Sequence, residues 1–470
     1  MRAAGVTDVD ESLAGPFRYR PLGGRYLITN DFGDWCFLSA TQFRAFVEGT
    51  LDKDDALYTE LRDKRFIHGE IALEEAVALY RRRHGFLQHG PERHIVAVTT
   101  RTNQQADEGE DMGAETVERA VDCAFMTTSP RLTLVVAGGE PLLNRPGAHR
   151  AIEYAGEKNR LARKELRTVV ETDLQAADEA EIAWMVKHDV RVRARLTDSL
   201  LHEDTSPARA AIRALHAAWA EVGYDPADHH VELVAELRAD QLDSSEAVVD
   251  LAVALGCRTV DFAPQPGFGF VDPDAPEREY RADAWLRAYE RAFARMLHHE
   301  REGHPIRERT AAALLARILD GKTEDECRLR SPASDGIGQF AYHVDGRVFA
   351  SEGGRKLAER GEDIFQIGEL RKNGYHDMVT SPTVRALVMA TTLEGQPGWI
   401  QSAYKPFAGV SPARCYGEQG SIHGRMQDSE QARELHGILD LLFLQLSNEG
   451  VDPEVQAIFG RWAGTDPAGA

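Results

Sequence analysis

Ile95-Val-Ala-Val-Thr-Thr-Arg101 and Leu132-Thr-Leu-Val-Val-Ala137, the second running straight into Gly138-Gly-Glu-Pro-Leu-Leu143, decide the fold of this chain. Each is a short apolar run rich in β-branched residues and bounded by polar or glycine-containing sequence, the pattern of a strand buried on both faces. Val117 to Met126 between them has a helical pattern, so the pair reads as a βαβ step. The alternation continues outward. Strands are expected at 167–171, 190–196, 231–237 and 258–263, with helices from Glu179 to Val186 and from Ser245 to Leu255. Units of about 25 to 40 residues fit an α/β domain whose parallel sheet curls into a partial or full β/α barrel.

The flanks read differently. Arg25-Tyr-Leu-Ile-Thr29 and Asp34-Trp-Cys-Phe-Leu38 alternate around the turn Asn30-Asp-Phe-Gly33 and predict a hairpin. Ser39 can then cap a helix that places Phe43, Phe46 and Val47 on one face, and a further helix is suggested around Tyr58 and Leu61. Two strands with short helices predict a winged-helix-like module. After the barrel, Trp285, Tyr289, Phe293 and Met296 form the stripe of a long helix, and Asp345-Gly346 between two apolar runs predicts a second hairpin. A last helix is expected from Glu430 to Leu446. The expected units are 17–90, 91–305 and 306–450.

Across 470 residues, 55 Lys and Arg stand against 76 Asp and Glu, a net charge of −21. Such a surface repels phosphate backbones and anionic lipid, which argues against nucleic acid or membrane as the main partner. No run of 18 apolar residues and no charged-then-apolar leader occurs, so a cytoplasmic protein is expected. Cys36, Cys123, Cys257, Cys327 and Cys415 are too scattered for local metal-ligand spacing and read as buried thiols. His298-His-Glu300 with His304 misses the His-Glu-x-x-His spacing, because position 303 is Gly, and no metal site is expected. Glu140, Glu171 and Asp198 all fall at expected carboxyl ends of strands, where they could gather in a barrel mouth.

Four segments, Phe17 to Asn30, Gly138 to Asn144, Ala341 to Gly346 and Ala403 to Gly409, together span most of residues 17–446. In these the chain resembles the radical S-adenosylmethionine (SAM)/SPASM peptide maturases of the His-Xaa-Ser type. The resemblance implies a radical SAM-like barrel with a C-terminal SPASM-like extension, and a SAM site at Gly138, Gly139, Glu140 and Pro141. It also implies a precursor peptide as ligand. An open edge of the N-terminal hairpin, at Tyr26, Leu27, Ile28, Trp35 and Phe37, would take that peptide as an added strand; the same Leu27, Trp35 and Phe37 could instead bury the module against the barrel.

The departures from the family concern its cofactors. Where such enzymes carry three cluster-binding cysteines after the first barrel strand, this chain reads Thr102-Asn-Gln-Gln-Ala-Asp-Glu-Gly-Glu-Asp-Met112. Trp399, Ser402 and Ala408 stand where auxiliary-cluster cysteines are implied. The expectation is therefore no iron–sulfur cluster and at best weak SAM binding. The role expected is that of a subunit binding a precursor peptide, an active radical SAM maturase, or both. The alternative is an enzyme that uses the barrel mouth, with Glu171 and Asp198, for non-radical chemistry with or without SAM.

Overall fold

The computed structural model describes residues 13–69, 71–265, 267, 280–321, 329–447 and 452–465. The chain begins with an antiparallel sheet of β1 (Arg18–Leu22), β2 (Arg25–Thr29) and β3 (Trp35–Leu38), in that spatial order. Gly23 and Gly24 both have positive φ, as a two-residue hairpin turn requires, and set Leu22 opposite Arg25. Helices α1 (Ala40–Val47), α2 (Ala56–Asp63) and α3 (Leu73–Arg83) follow. Ser39 and Gln42 form a reciprocal capping box that starts α1, as the sequence suggests. One face of the sheet, with Tyr26, Ile28 and Leu38, packs on Phe43, Phe46, Leu61 and Phe66 as the module's own core. The other face carries Leu27 and Phe37 into the main core of the protein.

One expectation is corrected here. The predicted hairpin strand with Tyr26, Leu27 and Ile28 has no open edge, because β1 pairs along its whole length and makes β2 the central strand. Pro21 hid β1 in the sequence; an edge strand tolerates a residue without an N–H.

The body alternates strand and helix: β4 (Arg93–Thr99), α4 (Ala114–Phe125), β5 (Arg131–Gly138), α5 (Arg145–Ala162), β6 (Glu165–Thr172), α6 (Glu179–Lys187), β7 (Val190–Arg195), α7 (Asp198–His202), α8 (Pro207–Val222), β8 (Glu232–Ala235), α9 (Ser245–Leu255), β9 (Thr259–Phe262), α10 (Ala282–Arg301), β10 (Arg307–Glu308) and α11 (Arg309–Asp320). Strands β4 to β10 are parallel and lie side by side in sequence order. All six expected strands are present.

The same sheet continues into the C-terminal region. β11 (Gln339–Tyr342) pairs parallel to β4, and β12 (Arg347–Phe349) and β13 (Gln366–Glu369) follow antiparallel, giving ten strands in one sheet. The helices here are α12 (Glu352–Ala358), α13 (Tyr375–Val379), α14 (Pro382–Thr391), α15 (Pro412–Gln419), α16 (Glu430–Ser447) and α17 (Pro453–Ala463). α17 packs Trp462 edge-on to Phe293 of α10, so the folded region runs past residue 450. Phe443 of α16 receives Trp35 and Phe37, and Arg20 of β1 makes a two-pronged ion pair with Asp440. Among the described residues no helix is long and apolar enough to cross a membrane.

Alternation along β7 positions the site. Val190, Val192 and Ala194 are buried on one face of the sheet, while Arg191, Arg193 and Arg195 alternate onto the other and are only partly buried.

Candidate functional site

The Gly-Gly-Glu segment ends β5 and is covered by the chain's own loop from β4. Gly139 N–H donates to the Thr99 carbonyl at 2.8 Å and Glu140 N–H to the Arg101 carbonyl at 2.7 Å. The approach is so close that a Cβ on Gly139 would lie 1.9 Å from the Arg101 oxygen, and one on Gly138, whose φ is +119°, 2.3 Å from the Thr99 oxygen. The loop is anchored at its far end as well. Arg101 makes a bidentate pair with Asp111 and also donates to the Leu143 carbonyl, Thr99 Oγ1 donates to Asp111, and Asn103 donates to Asp173.

Glu140 is buried, and its carboxylate is fully used. Oε1 accepts from Leu142 N–H at 3.1 Å and Thr172 Oγ1 at 2.5 Å, and Oε2 accepts from Asp173 N–H at 2.9 Å and Arg195 Nη2 at 2.9 Å. A carboxylate has about four lone-pair sites, so none is left for a ligand's ammonium group. Burial, helped by the neighbouring Asp173 carboxylate, raises the Glu140 pKa above the ordinary value, and the Arg195 guanidinium opposes the rise. Pro141 and Leu142 close the segment as a buried single turn.

Next to this, on the sheet face that carries the β7 arginines, lies a charge network. Arg193 bonds Glu171 at 2.8 Å, Glu232 at 2.8 Å and Asp261 at 2.7 Å, and Arg309 holds the other oxygen of Glu232 at 2.7 Å. Burial alone would raise the Glu232 pKa, but Arg309 and Arg193 together bring it down to about 2. Glu308 is treated the opposite way. Buried and beside the Asp261 carboxylate, it accepts from Tyr289 Oη at 2.7 Å and Ala311 N–H at 2.6 Å, and its pKa is pushed up to about 7. The folded state therefore binds a proton that the unfolded state has released, and stability tied to Glu308 is full below pH 4.5 and lost as the pH rises through 7. Relative to Glu308→Gln, the wild type should lose about 2 to 3 kcal/mol of unfolding free energy between pH 5 and pH 8, as read by urea titration. A parallel pH dependence in the two proteins would refute the assignment.

The expected barrel-mouth carboxylates separate. Glu140 and Glu171 are held by Arg195 and Arg193, two residues apart on β7, whereas Asp198 opens α7 at the surface and pairs with Arg238 and Gln241. Two exposed groups absent from the sequence reading lie near this network. Glu236 has no hydrogen-bond or ion-pair partner among the described residues, and it lies within electrostatic reach of Lys356, Glu171 and Arg195. Its carboxylate touches solvent, yet protein crowds it enough to raise its pKa. Lys356 likewise has no ion-pair partner within bonding distance among the described residues, though its charge acts on Glu236 and Glu352. The signal was present in Val190-Arg-Val-Arg-Ala-Arg195: a strand alternating small apolar residues with arginine has one charged face that must meet carboxylates.

Among the described residues, no group of side chains fits an iron–sulfur cluster. Loop 99–112 offers no thiolate. Burial raises the thiol pKa of Cys36, Cys257 and Cys415 to about 12 and that of Cys123 to about 11, the reverse of what a ligand needs. Cys327 lies outside the described residues. Around the implied auxiliary site, Trp399 packs on His436 with ring centres 5.2 Å apart, Ser402 meets the same imidazole, and Ala408 is buried.

No protein-family model matches this chain, and no curated protein matches it either. Solved structures do. anSMEcpe with bound AdoMet aligns at a TM-score of 0.59 and 12% identity over 78% of this chain and 98% of that one. anSMEcpe with bound AdoMet and the Cp18Cys peptide aligns at 0.61 and 12% over 76% and 98%. SuiB of Streptococcus suis bound to precursor peptide SuiA aligns at 0.51 and 12% over 89% and 98%. These neighbours are radical SAM/SPASM peptide maturases, and the likeness in fold spans most of both chains. The chain has a radical SAM-like α/β fold with a large parallel sheet.

Proposed function

We propose that this chain is a cluster-free radical SAM homologue that binds a ribosomally made precursor peptide, an active maturase, or both, in peptide maturation. The observation that carries the reading is the saturated Glu140: the carboxylate that would receive SAM is spent on the chain's own Leu142, Thr172, Asp173 and Arg195, under a loop without thiolates. A single charge-assisted contact is worth about 1.5–3 kcal/mol. That is small against an association cost of about 4–15 kcal/mol.

The N-terminal module supplies a place for a peptide. β1 is blunted by Pro21, which leaves β3 as the edge able to accept an added strand. Beside it α3 turns Leu73, Val77 and Tyr80, spaced i, i+4 and i+7, to solvent, at 74, 40 and 44% exposure. Tyr80 stands 5.7 Å from Phe32 in the β2–β3 turn, so this apolar stripe adjoins the sheet. A peptide strand on β3 would lay its apolar side chains there. The faces of Leu27, Trp35 and Phe37 are spent on docking to the body.

The test is fluorescence anisotropy with a labelled precursor peptide encoded beside this gene, run with anaerobically reconstituted protein, and SAM calorimetry in parallel. Binding of the peptide weakened about tenfold or more by Val77→Asp with Tyr80→Asp, together with no saturable SAM heat in the micromolar range, is the expected result. Equal affinity of the variant places the peptide elsewhere. Glu236 and Lys356, without an ion-pair partner among the described residues, favour a second reading, in which the sheet face beside them performs non-radical chemistry; micromolar SAM binding abolished by Glu140→Ala would select it.

A further inference from the structure

At the opposite end of the sheet, where β8 and β9 begin, α8, α9, the segments before the two strands and His304-Pro305 after α10 line a half-open cavity of about 270 Å³. Its walls are Trp219, Tyr224 and the imidazoles of His216, His229, His230 and His304, with Arg258 also lining it. Two of those imidazoles are fully used. His216 Nε2 accepts from Val231 N–H at 2.9 Å, so its Nδ1–H donates to the Leu255 carbonyl, and His230 is bonded to both Pro226 and Thr259. Burial holds both below the usual imidazole range, His230 at about 4, so neither supplies charge near neutral pH.

Two other wall groups are left open. Trp219 is 1% exposed and its indole N–H has no acceptor among the described residues. His229 is only partly buried, its side chain 9% exposed, but its Nδ1 atom is enclosed; with Nε2–H donated to Asp189 at 2.7 Å, Nδ1 is left as an acceptor with no donor among the described residues. Buried polar atoms of this kind are uncommon, and each costs about 1–3 kcal/mol unless a partner arrives. Arg258 lies beside them, and among the described residues no carboxylate pairs with its guanidinium. Besides the His304 imidazole, the cavity thus presents one buried donor, one enclosed acceptor and one cation between flat rings; Tyr224 and His229 stack at 3.9 Å.

We propose that this cavity binds a small planar aromatic or heteroaromatic acid that carries an N–H beside its carboxylate. The N–H fills His229 Nδ1, a ligand oxygen takes the Trp219 N–H, the carboxylate pairs with Arg258, and the ring lies against the aromatic walls. The volume sits just below the usual range for small-molecule pockets, about 300–1,000 Å³, and suits one or two fused rings. This site is independent of the Gly-Gly-Glu segment and of the N-terminal module.

The test uses the full chain with orotate, anthranilate and indole-2-carboxylate as probes, benzoate as the control without the N–H, and calorimetry as the readout. At least one probe should bind with a Kd below about 1 mM, and benzoate about tenfold more weakly. Trp219→Phe, which keeps a ring and removes the N–H, and Arg258→Gln should each weaken binding about tenfold. Should Trp219→Phe lower the melting temperature, Arg258→Gln, which breaks no ion pair, decides alone. The proposal is overturned if none of the three probes binds, if the variants bind as tightly as the wild type, or if a crystal soaked with a probe shows only water between Trp219 and His229.

Discussion

Replacing Arg193 with methionine is expected to cost about 3–5 kcal/mol of unfolding free energy at neutral pH, the largest effect of any single lumen substitution. Arg193 is 13% exposed and holds three carboxylates, of which Asp261 is 3% exposed. Methionine keeps the length and the packing but leaves Glu171 without its cation and Glu232 and Asp261 with Arg309 as their nearest one. An uncompensated buried carboxylate raises its pKa and takes up a proton, so the deficit should narrow as the pH falls from 8 to 5. Urea unfolding across that range checks both statements. A variant within about 1 kcal/mol of wild type at pH 8 would show that Arg193 merely offsets the desolvation of its own partners.

Gly139→Ala should be almost as damaging, and for a reason that involves no charge. The added methyl would meet the Arg101 carbonyl oxygen at 1.9 Å and its carbon at 2.6 Å, and both are backbone atoms that cannot swing aside. Strain of this kind costs about 1–3 kcal/mol or more. The two backbone hydrogen bonds to Thr99 and Arg101 add about 0.5–1.5 kcal/mol each if lost. We expect a total near 3–5 kcal/mol and faster proteolysis within residues 102–112. Gly156 in α5 is exposed with nothing within 4 Å of its Cβ position, so Gly156→Ala should instead stabilise by about 0.5–1 kcal/mol. Wild-type stability of Gly139→Ala would mean that the loop has a second resting place away from Glu140.

The strands of the body were legible because burial on both faces leaves few choices beyond Val, Ile, Leu and Ala, as in Ile95 to Val98 and Leu132 to Ala137. Glu140 and Glu171 could be placed at strand ends from register alone. Their partners could not, since the sequence places Arg195 and Arg193 on a strand without saying which of the two faces is concave. Asp198 misled because one turn beyond Arg195 is enough to carry it out of the lumen and onto the start of α7. At the N-terminus, Leu27, Trp35 and Phe37 read equally well as a peptide platform or a docking face; in the fold Trp35 and Phe37 meet Phe443, more than 400 residues away, and Leu27 joins the main core.

The neighbour of β4 on one side is β5, made soon after it, but on the other it is β11. About 240 residues separate Thr99 from Gln339. At about 5–20 residues per second, synthesis leaves that flank of the first body strand without its partner for about 12 to 48 s. During this interval an apolar strand with free N–H and C=O groups can pair with any other extended chain nearby. The architecture therefore ties successful production of this protein to temperature, translation speed and chaperone supply, and truncations that end before residue 342 should accumulate as aggregates instead of as soluble fragments.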